Sequence, residues 1–147
     1  MPRLKLPLDF AGRPVLKVYL YVGGALASVQ DILGIANPVP VELAAILDTG
    51  AGTTVVEREW ITRLGLSPVG ERVIHKASTG ASPVISHVYR VAIELSEDVA
   101  GRLAANLEVV ATEDLKGFGV QMLLGRDVLD GKILFYDGKR REIRLRF

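Results

Sequence analysis

Val41-Glu42-Leu43-Ala44-Ala45-Ile46-Leu47-Asp48-Thr49-Gly50-Ala51 is the stretch on which the reading of this chain turns. Residues 41–47 form a nearly continuous apolar run, the pattern of a strand buried on both faces. The run leads straight into a carboxylate followed by small residues. A charged side chain is thereby delivered at the end of a buried strand, where desolvating it is costly and a pure scaffold has no need of it.

Hydrolysing an amide without a metal or a covalent nucleophile requires one group to take a proton from water and another to protonate or polarise the carbonyl. Two carboxylates sharing one proton do both. Held within hydrogen-bond reach they cannot both ionise, so one acts as base and the other as acid. Asp48-Thr49-Gly50 suits that closeness: Gly50 has no side chain to keep two such loops apart, and the Thr49 hydroxyl donates and accepts across their junction. Asp-Thr-Gly occurs once in the sequence. A pair therefore requires a second copy of the chain, with the site on a twofold axis.

Most of the remaining sequence reads as strands. Residues 15–22 are rich in Val, Leu and Tyr and end at Gly23-Gly24; residues 25–37, closed by Pro38 and Pro40, are either a short helix or an inserted loop. Thr54-Val55-Val56-Glu57 has capping-box spacing ahead of a short amphipathic helix carrying Trp60, Ile61 and Leu64, with Trp60 expected to pack on the core. Residues 72–78 and 84–95 form the arms of a long hairpin around Thr79-Gly80-Ala81. Further strands are expected at 107–111, 120–124, 132–136 and 142–147, with a short helix after Gly125 and an Asp137-Gly138 turn. The segment 44–50 is faintly echoed by 121–127, each an apolar run reaching a glycine ahead of a short helix.

Ile46-Leu47-Asp48-Thr49-Gly50-Ala51, the helix ending Arg63-Leu64-Gly65-Leu66, the glycine-tipped hairpin and Leu123-Leu124-Gly125-Arg126-Asp127-Val128-Leu129 stand in the order and spacing of the retropepsin-like aspartic peptidases, which the chain resembles. The resemblance covers about residues 41–147. It implies a mostly β, closed retropepsin-like barrel of the acid-protease fold with one or two short helices, one lobe per chain, and a single domain over residues 1–147. It further implies an aspartic endopeptidase acting on extended polypeptide as a homodimer, with Asp48 as the catalytic carboxylate. Thr49, Gly50 and Ala51 become the active-site loop and dimer junction, Thr79 and Gly80 the flap tip, and Arg126 a structural support. Retroviral members carry acidic residues after the Asp-Thr-Gly-Ala segment, where this chain has Gly52, Thr53 and Thr54. The partner of Arg126 is therefore open between Asp127 of either subunit, the carbonyls of the Asp48 loop and Glu57. A catalytically weak dimerisation or peptide-binding module on the same fold is the competing reading.

Composition excludes several other classes. The 147 residues carry 18 basic and 17 acidic side chains spread along the chain and no cysteine. Disulfides, thiolate metal sites and a cysteine nucleophile are excluded, and no nucleic-acid or membrane partner is expected. Residues 139–146 are basic, and their alternation reads as a strand with one charged and one apolar face. His75 and His87 fall on opposite hairpin arms without acidic company, so neither a metal nor another cofactor is expected. Gly50-Ala51-Gly52 and residues 125–132 fail the spacing of dinucleotide and phosphate loops. Asp127, Asp130 and Asp137 fit helix-end and turn chemistry, and the four tyrosines fit packing. The absence of a signal-like start places the expected site of action in the cytoplasm.

Overall fold

The computed structural model describes residues 3–76, 80, 82–95 and 102–147. In chain order the elements are β1 (Arg3–Pro7), β2 (Val15–Val22), α1 (Gly24–Ile32), β3 (Val41–Leu47), β4 (Val55–Glu57), α2 (Arg58–Arg63) and β5 (Gly70–Ile74). They continue with β6 (Val84–Leu95), β7 (Arg102–Thr112), a 3-10 turn at Lys116–Phe118, β8 (Met122–Leu124), α3 (Arg126–Leu129), β9 (Ile133–Asp137) and β10 (Glu142–Arg146).

Six strands close on themselves in the order β2-β3-β8-β4-β7-β6, with β6 returning to β2, so this is a closed barrel as expected, and among the described residues it carries three short helices where one or two were expected. Closure leaves those strands no free edge. Alternate residues point inward. Leu16, Val18 and Leu20 of β2, Leu43, Ala45 and Leu47 of β3, and Met122 and Leu124 of β8 all join one buried cluster. At roughly 1.5–3 kcal/mol for each fully buried large aliphatic side chain, that cluster dominates the stability of the barrel.

The buried strand leading to Asp48 differs from expectation in one respect. Only Leu43, Ala45 and Leu47 are buried, while Val41, Ala44 and Ile46 are half-covered and Glu42 is exposed. β3 is a barrel strand with one inner face, and Ala44 and Ile46 keep its outer face looking apolar in sequence. The faint echo, in contrast, is structural. β3 and β8 lie parallel with Ala45 opposite Met122, Ile46 opposite Leu123 and Leu47 opposite Leu124, the same offset that aligns the two segments in sequence.

The capping box is overturned. Val55–Glu57 is a strand, the helix starts only at Arg58, and its cap position, Glu57, makes no side-chain capping bond. Tertiary pairing of Val55 with both Val110 and Leu123 outweighs the local preference. Trp60 packs against the core, with the Arg63 guanidinium 4.3 Å from its ring centroid. Tyr89 is buried and Tyr19 meets Tyr21 edge to face, but Tyr136 departs from the packed reading at 56% exposed.

A second, three-stranded sheet has the order β1-β10-β9. Its centre is the basic stretch whose alternation is legible in sequence: Ile143 and Leu145 are buried while Arg144 and Arg146 face outward. Among the described residues β5 pairs only with β6, forming the expected hairpin with Ile74 opposite Val84. Gly80 turns at its tip with φ 62°, a left-handed conformation that suits glycine. Thr79 lies outside the described residues.

Candidate active site

The parallel pairing of β3 and β8 continues one residue past β3: the Asp48 N–H donates to the Leu124 carbonyl at 2.8 Å. The chain then turns sharply. Asp48 Oδ1 accepts the Gly50 N–H at 2.9 Å, an Asx turn that fixes the carboxylate against its own loop. A Cβ on Gly50 would lie 3.1 Å from that oxygen, so a larger residue would push the carboxylate aside. Asp48 is half-buried, whereas Thr49 and Gly50 face outward.

The segment after β8 clamps this loop. The Arg126 N–H donates to the Ala51 carbonyl at 2.8 Å, and Arg126 Nη1 donates to the Thr49 carbonyl at 2.9 Å. Of the partners left open for Arg126, the loop carbonyls are the ones it takes. Asp127 braces the neighbouring residues instead, its carboxylate accepting the Thr54 N–H at 2.8 Å and the Thr54 hydroxyl at 2.6 Å. That hydroxyl in turn accepts the Gly125 N–H at 3.1 Å. Thr54 is fully buried, and the network satisfies both its backbone and side-chain donors. Gly125 is required for this proximity, because a Cβ there would stand 2.8 Å from the Thr53 carbonyl carbon and 2.9 Å from the Ala51 oxygen.

Glu57, also buried, accepts the Leu115 N–H at 2.6 Å. It thereby ties β4 to the turn that forms one wall of a cleft of about 810 Å³. Asp48 and Gly50 line the floor of that cleft; Val55, Val110, Leu115, Phe118 and Leu123 give it apolar walls; residues 72–76 of the hairpin run along it. Two straps join this arm to the barrel. Arg72 donates to Glu108 at 2.9 Å and to the Thr53 hydroxyl at 3.4 Å, and Lys76 donates to Asp114 at 2.8 Å and to the Thr112 hydroxyl at 3.4 Å. The Lys76 hydrogen bond holds the Asp114 carboxyl below its ordinary pKa.

Sequence reading thus finds Asp48, Thr49, Gly50, Ala51 and Arg126, which the fold brings together in one clamped loop. It misses Thr54, Glu57 and Gly125 as supports and Arg72 and Lys76 as straps. Thr54 and Glu57 bracket the apolar pair Val55-Val56 and end up buried, a polar-in-apolar signal open to a helix-cap explanation. His75 is exposed at the cleft, and His87 sits 3.8 Å from Glu71 across the hairpin. Among the described residues no three His, Cys, Asp or Glu side chains are grouped as metal ligands, and no helix is long and apolar enough to cross a membrane.

The family model described as Aspartyl protease matches residues 33–128, more than half of the chain. A retropepsin-like aspartic protease from Rickettsia conorii is 14% identical, with a TM-score of 0.60 over 97% of this chain and 89% of that one. The EIAV protease solved with the inhibitor HBY-793 is 18% identical, with a TM-score of 0.47 over 84% of this chain and 91% of that one. No curated protein matches the sequence. The chain belongs to the aspartyl protease family, and its fold is that of a retropepsin-like aspartic peptidase.

Proposed function

We propose that the protein is an endopeptidase that hydrolyses peptide bonds in extended polypeptide with a dyad made of Asp48 from two copies of the chain. The observation that carries this reading is the placement of Asp48. It sits on the floor of a large cleft, on a loop whose Thr49 and Gly50 face outward and whose other side is clamped by Arg126. The only other carboxylate lining that cleft among the described residues, Asp114, is tied to Lys76. One carboxylate cannot act as base and acid at once, so the chemistry calls for a second. Gly50 leaves room for a matching loop, and a twofold through the outward face of Thr49-Gly50 sets the two carboxylates side by side. One then takes a proton from the attacking water while the protonated partner hydrogen-bonds the scissile carbonyl. The two exchange roles as the amine leaves.

The test is cleavage of a diverse peptide pool from acidic to neutral pH, with Asp48→Asn in parallel, products read by mass spectrometry and oligomeric state by sedimentation. Cuts made by a dimer and lost in the variant support the reading. A strictly monomeric protein overturns the shared dyad, and a dimer that binds peptides without cutting them assigns the chain to the binding-module alternative.

A further inference from the structure

Charge spread evenly along this chain is not spread evenly in space. In the terminal sheet, Arg3 of β1 pairs with Arg146 of β10, which pairs with Ile133 of β9; one row on, Lys5 pairs with Arg144, which pairs with Phe135. Directly paired residues share a face, and alternate residues along a strand return to it. Leu4, Leu6, Ile143 and Leu145 take the core side. Arg3, Lys5, Arg144 and Arg146 therefore stand as a two-by-two block on the outer face, with neighbouring strands about 4.8 Å apart.

Acidic compensation on that face is slight. Glu142 accepts both Lys5 at 2.9 Å and Arg144 at 2.9 Å, and Asp137 at the turn end is matched by Arg140 at 3.9 Å. Four positive charges against the one of Glu142 leave +3 on this block, in a chain whose whole formal charge is +1. The Arg3 and Arg146 side chains have no ion-pair or hydrogen-bond partner among the described residues. Beside the block, Ile133 and Phe135 are 58% and 52% exposed, so two apolar side chains protrude next to the positive charge.

We propose that this sheet face docks the protein onto an anionic lipid surface. Basic residues gather acidic headgroups, and the adjoining Ile133 and Phe135 enter the boundary between headgroups and acyl chains. Single-stranded nucleic acid fits less well: the face has one aromatic ring, and the Arg144 guanidinium already lies 5.1 Å from its centroid, where a base would stack. A second copy fits worst, because face-to-face contact would oppose like charges. The inference is independent of the chemistry at Asp48.

The experiment is co-sedimentation of the full chain with vesicles of phosphatidylcholine alone and of phosphatidylcholine with phosphatidylserine, at low and high salt. A single-stranded oligonucleotide is titrated separately. Binding is expected only to the anionic vesicles and only at low salt. Arg3→Gln with Arg146→Gln, which leaves the Lys5–Glu142–Arg144 cluster intact, should weaken it about 30-fold with an unchanged melting temperature. Phe135→Ser should weaken it further. Equal binding to both vesicle types, no binding at low salt, or an unaffected double variant would overturn the proposal. Oligonucleotide binding stronger than vesicle binding and lost in the same variant would assign the face to nucleic acid instead.

Discussion

Replacing Asp127 by Ala removes the acceptor of two hydrogen bonds, at 2.8 and 2.6 Å, from the backbone and hydroxyl of Thr54. Hydrogen bonds to a charged group are worth roughly 1.5–3 kcal/mol each. Thr54 is fully buried, so its N–H finds no water in exchange. Removing a half-buried carboxylate returns some desolvation cost, and the net loss is on the order of 3–5 kcal/mol, a large share of the roughly 5–15 kcal/mol of a typical domain. Asp127→Asn should lose about half as much: its amide oxygen still takes the Thr54 N–H, but its NH2 group meets a hydroxyl that already accepts from Gly125. Urea denaturation at fixed protein concentration measures both losses. Combining Asp127→Ala with Thr54→Val completes a double-mutant cycle, with an expected coupling above about 1 kcal/mol. A loss within roughly 0.5 kcal/mol of wild type for Asp127→Ala, or additive single variants, would refute the claim that this carboxylate braces Thr54, beside the Asp48 loop.

Arg126→Met should cost little stability, about 0.5–1.5 kcal/mol, since its bond to the Thr49 carbonyl is solvent-exposed; by freeing the loop it should lower kcat/KM about 100-fold in a peptide-cleavage assay, and Arg126→Lys should not restore it. Glu142 is held below the ordinary glutamate pKa by its hydrogen bond to Lys5 and then by Arg144, so its stabilisation is complete above the ordinary value and is lost as pH falls through the lower folded-state value. Melting temperatures measured down that range should fall more steeply for wild type than for Glu142→Gln. Asp114 is depressed in the same sense by Lys76, so the strap should hold at neutral pH and release in acid. Hydrogen exchange at residues 70–76 should accelerate in Lys76→Met at neutral pH, and wild type should match that variant once Asp114 is protonated.

What the sequence made legible follows from where the information is local. The strand patterns of residues 15–22 and 84–95 coincide with the observed bounds of β2 and β6, because alternation and apolar runs are read over a few neighbours. Asp48 and Gly50 were legible because their loop is written in contiguous residues, and Arg126 because it stands in a second short segment, residues 123–129. The false helix cap at Thr54 came from the same locality: the hydroxyl that fits a cap is spent on Asp127 and Gly125, more than seventy residues away. β1 was missed for a related reason. Arg3-Leu4-Lys5-Leu6-Pro7 alternates well, but what makes it a strand is β10 at the other end of the chain. The straps from Arg72 and Lys76 depend on how the hairpin folds over the barrel, which no short window of sequence records.

The pairing of β3 with β8 also sets a schedule. During synthesis the Asp48 loop leaves the ribosome long before Gly125, Arg126 and Asp127, and contacts between segments so far apart form late because the intervening chain must first be ordered. A growing chain therefore carries its acidic loop unclamped, without the second barrel neighbour of β3 and without the wall that Leu115 and Phe118 give the cleft. The order of translation thus leaves the Asp48 loop unclamped until residues 125–127 have been made.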